Sequence, residues 1–181
     1  MIATSDGQVN IQIPVELAAG TYPLVVRSID RLAASLTTNV KLSKVAPAVF
    51  VDSNGQASIY HSSDGKLVTK ANPTTRDQKL SIYATGMGVT KGGKVTDGNP
   101  APSSPLAVTD TVAVYFGNPL LKQSQVIVNW SGLVPGMIGV NRIDVTVPGF
   151  HTEGDSLPVT IKIDGVSSPT TGPTAPVTYS H

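Results

Sequence analysis

The sequence predicts an all-β protein, a β-sandwich of one and a half repeated units, and three observations predict it. Apolar and polar residues alternate along most of the chain, which is the period of a half-buried strand. The alternating runs are short and separated by Gly, Pro, Asn and Asp, with no helical pattern between them, so strands pack on strands rather than on helices. Finally, Val9-Asn10-Ile11-Gln12-Ile13-Pro14 recurs as Ile143-Asp144-Val145-Thr146-Val147-Pro148, an offset of 134 positions (148 − 14). The match continues past the shared Pro: Gly20 is matched by Gly154, Pro23-Leu24-Val25-Val26 by Pro158-Val159-Thr160-Ile161, and Ile29-Asp30 by Ile163-Asp164, with one residue of slip absorbed between them. A match of this extent makes residues 1–45 the back end of a module, a partial unit, whose full version occupies residues 46–181.

The elements are justified in chain order. Val9, Ile11 and Ile13 share one side of the first strand, with Asn10 and Gln12 on the other. Strands are next expected at Pro23–Ile29 and Leu36–Leu42, and then a hinge at Ser43-Lys44-Val45-Ala46-Pro47, where one unit gives way to the next. Within the full unit, strands are expected at Ala57–Tyr60, Lys79–Ala84, Thr111–Phe116, Gln125–Trp130, Leu157–Asp164 and Val177–Tyr179. In the strand ending at Pro148, Ile143, Val145 and Val147 point inward while Arg142, Asp144 and Thr146 point out. The stretch Met87–Ala107 holds several Gly and Pro and little alternation, so an ordered excursion across one end of the sandwich is expected there. Ser167–Pro176 is a simpler connection, expected to fray before a last edge strand. Turns at Asn54-Gly55, Asp64-Gly65, Asp97-Gly98-Asn99-Pro100, Gly117-Asn118-Pro119, Pro135-Gly136 and Asp164-Gly165 supply positive or fixed φ. The three strands of the half unit cannot close a core alone, and their bare edges invite pairing. They must pack on the sandwich, on another copy through self-association of residues 1–45, or on a missing upstream half.

Composition narrows the function classes. Thirteen basic residues against twelve acidic ones give no cationic field, and no run of like charge occurs, which argues against nucleic acid and anionic membrane as partners. No stretch reaches the length of apolar sequence that a membrane span needs. Cysteine is absent, so neither a disulfide nor thiol chemistry is available and packing alone must stabilise the fold. The 14% charged fraction, with many Ser, Thr, Asn, Gly and Pro, suits an exported β protein. Met1–Gly7 has no basic region followed by an apolar core, so a signal peptide is expected upstream of this chain, which reads as excised from a longer protein.

Ala46-Pro47-Ala48-Val49-Phe50, Gly55-Gln56-Ala57, Asp64-Gly65, Ile82-Tyr83-Ala84-Thr85-Gly86-Met87-Gly88, Asp97-Gly98, Ser131-Gly132-Leu133-Val134-Pro135-Gly136, Gly139-Val140-Asn141 and Val145-Thr146-Val147-Pro148 carry a resemblance. In order and spacing, residues 46–168 resemble the C-terminal domain of uncharacterised secreted proteins abundant in Acidobacteria of the Solibacter type. Residues 8–50 resemble the end of a preceding copy. The Tyr-Ala-Thr-Gly strand and the closing Val-Thr-Val-Pro are also similar to immunoglobulin-like units of the transcription-factor type in surface proteins. The resemblance implies an immunoglobulin-like β-sandwich in tandem on an exported multidomain protein, and it implies no activity, because a sandwich hosts many functions. Two departures stand out: Asn141-Arg142 where Gln-Val is more usual, and Trp130 in place of a smaller aromatic or Ala.

Candidate chemistry is sparse. His61, His151 and His181 lie far apart, without metal-ligand spacing, and no metal or cofactor is expected. His61-Ser62-Ser63-Asp64 gathers Ser, His and Asp in one turn, where neighbours in sequence cannot take up a catalytic triad's geometry. Gly86-Met87-Gly88 follows a strand, but no helix follows to hold a phosphate. Asp52-Ser53-Asn54-Gly55 and Asp97-Gly98-Asn99 gather oxygens as calcium loops do, without the further acids of a complete loop, and read as Asx turns. Tyr22, Tyr60, Tyr83, Tyr115, Trp130 and Phe150 are the large aromatics near strands. Tyr83 and Tyr115 have outward parity; Trp130 groups by parity with Val126 and Val128 and is expected to plug one end of the core. If a ligand binds, it is a sugar stacked on Tyr83, Tyr115 or Trp130. The sequence therefore predicts no enzyme and no catalytic residue. It predicts a non-catalytic structural, spacer or assembly module of a secreted or cell-surface bacterial protein, partnered by neighbouring domains; the alternative is a carbohydrate-binding accessory module of an extracellular enzyme, with polysaccharide as partner.

Overall fold

The computed structural model describes residues 3–5, 7–28, 30, 32–149, 154–169 and 176–180. Its first strands are β1 (Ala3–Ser5), β2 (Gln8–Asn10), β3 (Gly20–Leu24), β4 (Arg27–Ser28), β5 (Ala33–Ala34) and β6 (Thr38–Leu42). Then come β7 (Ala48–Val49), β8 (Ile59–His61), β9 (Lys79–Thr85), β10 (Lys91–Gly92), β11 (Ala107–Val108) and β12 (Val112–Phe116). The last are β13 (Gln125–Leu133), β14 (Asn141–Thr146), β15 (Gly154–Ile163), β16 (Val166–Ser167) and β17 (Pro176–Tyr179). Among the described residues no α-helix occurs, and a single 3-10 turn, Lys122–Ser124, leads into β13. The all-β expectation holds.

Strands β7 to β17 form one eleven-stranded sheet along the path β16–β15–β12–β13–β14–β9–β7, with β8 on β9, β10 and β11 beside β13, and β17 on β15. The sheet curls until β15 and β7, from near its opposite ends, touch. Thr74 N–H donates to the Thr178 carbonyl (2.9 Å) and Ser180 N–H donates to the Thr74 carbonyl (3.0 Å), fastening the loop after β8 to β17. Curling faces the apolar side of each strand toward the others. Ile59, Leu80, Ile82, Val114, Phe116, Val126, Ile143, Val145, Ile161 and Ile163 lie in one buried cluster. Ile59, Ile82 and Ile143 form a direct cross-strand row through its centre. A curled antiparallel sheet closed over its own apolar face fits the expected sandwich.

Among the described residues, strands within 3–42 pair only with one another, as three two-stranded sheets, β1–β2, β3–β6 and β4–β5. Their pairing repeats the order seen at the other end of the chain. In the first, Gly20 pairs with Leu42 and Leu24 with Thr38, around a hairpin pairing Arg27 with Ala34. In the second, Gly154 pairs with Tyr179 and Leu157 with Val177, around a hairpin pairing Lys162 with Ser167. The two segments differ in closure: Ile143, Val145 and Val147 are 0% exposed, whereas Val9, Ile11 and Ile13, at the matching places in the recurring sequence, are 40%, 43% and 42% exposed. β14 is paired on both edges, with β13 and β9, while its counterpart is a strand only over Gln8–Asn10 and pairs with β1. The Asp97-Gly98 turn ties this segment to the sandwich: Val15 N–H donates to the Asp97 carboxylate (3.2 and 3.3 Å) and Gly98 N–H to Gln12 Oε1 (2.7 Å).

Several boundaries differ from expectation. The strand at Pro23–Ile29 divides into β3 and β4 at Val25-Val26, and Ile29 lies outside the described residues. The strand expected at Gln125–Trp130 continues to Leu133. The Met87–Ala107 excursion is ordered by backbone bonds: Gly93 N–H to the Leu106 carbonyl, Ala101 N–H to Met137, and Gly136 N–H to Ala101. Much of the Ser167–Pro176 connection lies outside the described residues. The expected hinge is fixed over its second half, because Val45 is buried in the core and Ala46 N–H donates to the Gly86 carbonyl at 2.8 Å. Gly86 makes that seat: its φ is +74°, and a Cβ there would stand 1.8 Å from the Ala46 carbonyl oxygen.

Candidate functional site

The site begins with a break in alternation. Val128 pairs with Val145, but the next pair is Trp130 with Asp144, so one extra residue, Asn129, is inserted in β13. Such a bulge moves every later side chain to the other face. Trp130, expected in the core with Val126 and Val128, therefore shares the outer face with Asp144 and Arg142. Counting by parity failed because it assumes an unbroken strand. A signal was present: Gly132, two residues on, is a glycine inside a strand, which marks a bulge or a close approach. It is a close approach as well, since a Cβ on Gly132 would lie 2.7 Å from Trp130 Cζ2 and 2.5 Å from the Ala107 carbonyl oxygen. The ring lies along the strand where this glycine leaves room. Gly132→Val is expected to lift the ring, shifting tryptophan fluorescence, and to cost about 2 kcal/mol in urea unfolding.

Register places the rest. Arg142 on β14 faces Gly132 and Tyr83, and Asp144 faces Trp130 and Ser81. Ser81 faces Tyr60 of β8. The Arg142 guanidinium carbon stands 5.0 Å from the Trp130 ring centroid, a cation–π contact. Arg142 Nη2 donates to Asp144 Oδ2 at 3.0 Å, and Ser81 Oγ donates to Asp144 Oδ1 at 2.8 Å. Since the Ser81 proton is committed to Asp144, Ser62 Oγ, 3.2 Å away, must donate to Ser81. Tyr60 and Tyr83 meet edge to face, with centroids 5.6 Å apart and planes at 87°. Trp130, Arg142, Tyr83 and Tyr60 thus span four adjacent strands, about 14 Å at the usual interstrand spacing. All four are half-buried, side chains held in place with part of their surface open.

Of the three aromatics singled out in the sequence, the fold brings Tyr83 and Trp130 onto one face. Tyr115 stands elsewhere, on β12 opposite Gln125 and Thr160, and shares no register row with either. Arg142 was legible as an outward-facing residue and Tyr60 as a large aromatic near a strand, but their place beside Trp130 and Tyr83 depends on non-local register. Phe150, His151 and His181 lie outside the described residues.

The remaining candidates have structural employment. His61 is buried on the core side of β8, with Nε2 3.4 Å from the Asn72 carbonyl oxygen, so the sheet separates it from Ser81 and Asp144. Asp52 Oδ1 accepts from Asn54 and Gln56 N–H (2.8 and 2.9 Å), an Asx turn. No cluster of three or more potential metal-ligating residues occurs among the described residues. Asp64 Oδ1 accepts the Lys66 N–H at 3.1 Å, and the Lys66 ammonium approaches Oδ2 at 3.1 Å. That backbone bond first, and the ammonium second, hold the Asp64 carboxyl below its ordinary value. Its small contribution to stability is therefore present above the ordinary aspartate range and lost as pH falls through the lower folded value. An NMR titration should place Asp64 below the ordinary range, and Lys66→Ala, which removes the ammonium but keeps the backbone N–H, should return it only part of the way.

No helix among the described residues is long and apolar enough to cross a membrane. Compared with known proteins, the chain matches no family model, no curated protein and no solved structure.

Proposed function

We propose that this chain is a non-catalytic module of a secreted or cell-surface multidomain bacterial protein, in which immunoglobulin-like units follow one another in tandem and act as spacers or points of assembly. One observation carries the reading: a recurring sequence pairs in the same order at both ends of the chain, closed in one place and open in the other. Tyr22 Oη, which donates to the Ala18 carbonyl at 3.1 Å, makes the kind of upstream backbone bond that tyrosine corners make in immunoglobulin-like sandwiches. The even charge balance and the full use of Asp144, Ser81 and His61 in structure suit a module that does no chemistry. Light scattering over a concentration series tests the reading. A spacer stays at 18.7 kDa; a concentration-dependent rise makes assembly through residues 1–45 the function.

A second reading, a carbohydrate-binding accessory module, is favoured by the bulge that turns Trp130 outward. Trp130 and Arg142, the two departures from the resembled pattern, are in contact with each other. A ring flanked by an Arg–Asp pair suits a neutral sugar, with C–H groups on the ring and hydroxyls on the ion pair. Trp130→Ala and Arg142→Ala are expected to weaken retardation in polysaccharide gels about tenfold, which is about 1.4 kcal/mol, while Tyr115→Ala leaves it unchanged. No retardation of the unaltered chain by any neutral glycan would eliminate this reading.

A further inference from the structure

We propose that the apolar face formed by Val9, Ile11, Ile13, Leu24 and Val26 is a docking surface for strands of a preceding repeat, equivalent to β9, β12 and β13 of this chain. The inference rests on the tandem reading and names what covers the open half. In the closed copy, β14 is covered by β9 on one edge, with Leu80 opposite Val145 and Ile82 opposite Ile143, and by β13 on the other. β15 is covered by β12, with Val114 opposite Ile161 and Phe116 opposite Val159. The open copy presents the matching residues: Val9 for Ile143, Ile11 for Val145, Leu24 for Val159 and Val26 for Ile161. All four closed-copy residues are buried and all four of their counterparts are exposed.

This chain's own sandwich is not the occupant. Gln12 and Val15 meet its Asp97-Gly98 turn, yet Ile11 and Ile13 beside them stay 43% and 42% exposed, so that contact does not cover the apolar residues. Nor does alternation alone make a strand: Ile11–Pro14 keeps the pattern of Val145–Pro148 yet belongs to no strand, because a ladder needs a neighbour. The fitting partner is therefore a set of aliphatic strands patterned like β9, β13 and β12, the first two flanking Val9–Pro14 in place of β1 and the third lying along Gly20–Val26.

The repeat supplies its own test. Position 8 corresponds to position 142, so residues 46–141 of this sequence can be joined directly ahead of Gln8 in place of residues 1–7, leaving the chain from Gln8 onward intact. Amide hydrogen exchange over residues 8–28 should slow by at least about a hundredfold relative to the unextended chain, and the extended chain should remain monomeric. Introducing Val9→Asp and Ile11→Asp in the extended chain should abolish that protection without changing exchange in β9, β12 or β14 of the original sandwich. If the added segment folds but residues 8–28 exchange as before, the docking proposal fails while the tandem reading stands. If the added segment stays unfolded, both fail. If the unextended chain already protects residues 8–28 by dimerising, the occupant is a second copy and the proposal is overturned.

Discussion

Gly86→Ala is expected to destabilise the sandwich by about 4 kcal/mol, combining the cost of a non-glycine residue at positive φ with that of forcing atoms into occupied space. The φ of +74° accounts for the first part, and the added methyl, 1.8 Å from the Ala46 carbonyl oxygen, accounts for the second. That oxygen is backbone and cannot swing aside as a side chain would. Relief requires Ala46 to move, which breaks its bond to the Gly86 carbonyl and draws Val45 out of the core. At roughly 2–4 °C per kcal/mol for a chain of this size, thermal unfolding followed by circular dichroism should fall by about 8–16 °C. A fall below about 3 °C would show that the Ala46 seat contributes little to the sandwich.

Ile143→Ala and Val9→Ala should differ far more than side-chain size explains. The two positions match in the recurring sequence, yet Ile143 lies in the central row with Ile59 and Ile82 and is 0% exposed, whereas Val9 is 40% exposed. Truncating Ile143 removes transfer energy and leaves a cavity that a curled sheet cannot easily close, at about 3–4 kcal/mol. Truncating Val9 should cost under about 1 kcal/mol, the range of a surface change. Urea unfolding of the two variants measures the difference directly. Equal losses would mean that Val9 is covered in solution.

These contrasts show which parts of the fold a sequence records. Strands such as Lys79–Thr85, Val112–Phe116 and Asn141–Thr146 were legible to within a residue or two, because both of their faces have fixed surroundings and alternation reports burial faithfully. Short pairs such as β4–β5 carry no period to detect, since two residues cannot alternate. Val9–Pro14 misleads in the opposite sense, keeping the pattern of a buried strand without the neighbours that would make it one. At the candidate site, Tyr83 and Trp130 were named from the sequence, but their relation to Arg142 and Tyr60 is a matter of which residue pairs with which across β13, β14, β9 and β8. One inserted residue, Asn129, decides it, and nothing local distinguishes an inserted residue from an ordinary one except the glycine at 132.

The seat of Ala46 on Gly86 also determines how the molecule takes a mechanical pull. Tension arriving along the chain from residues 3–42 first meets Val45, seated in the core, and Ala46, and then acts on β7, a two-residue strand at the end of the sheet path. The bonds there follow one another along the chain, Ala46 to Gly86, β7 to β9, then Phe50 N–H to the Tyr83 carbonyl, so a pull across the sheet opens them in turn. Peeling residues 46–50 releases about 17 Å of slack before the central strands feel any force. Residues 45–50 thus form a short release segment ahead of the central strands.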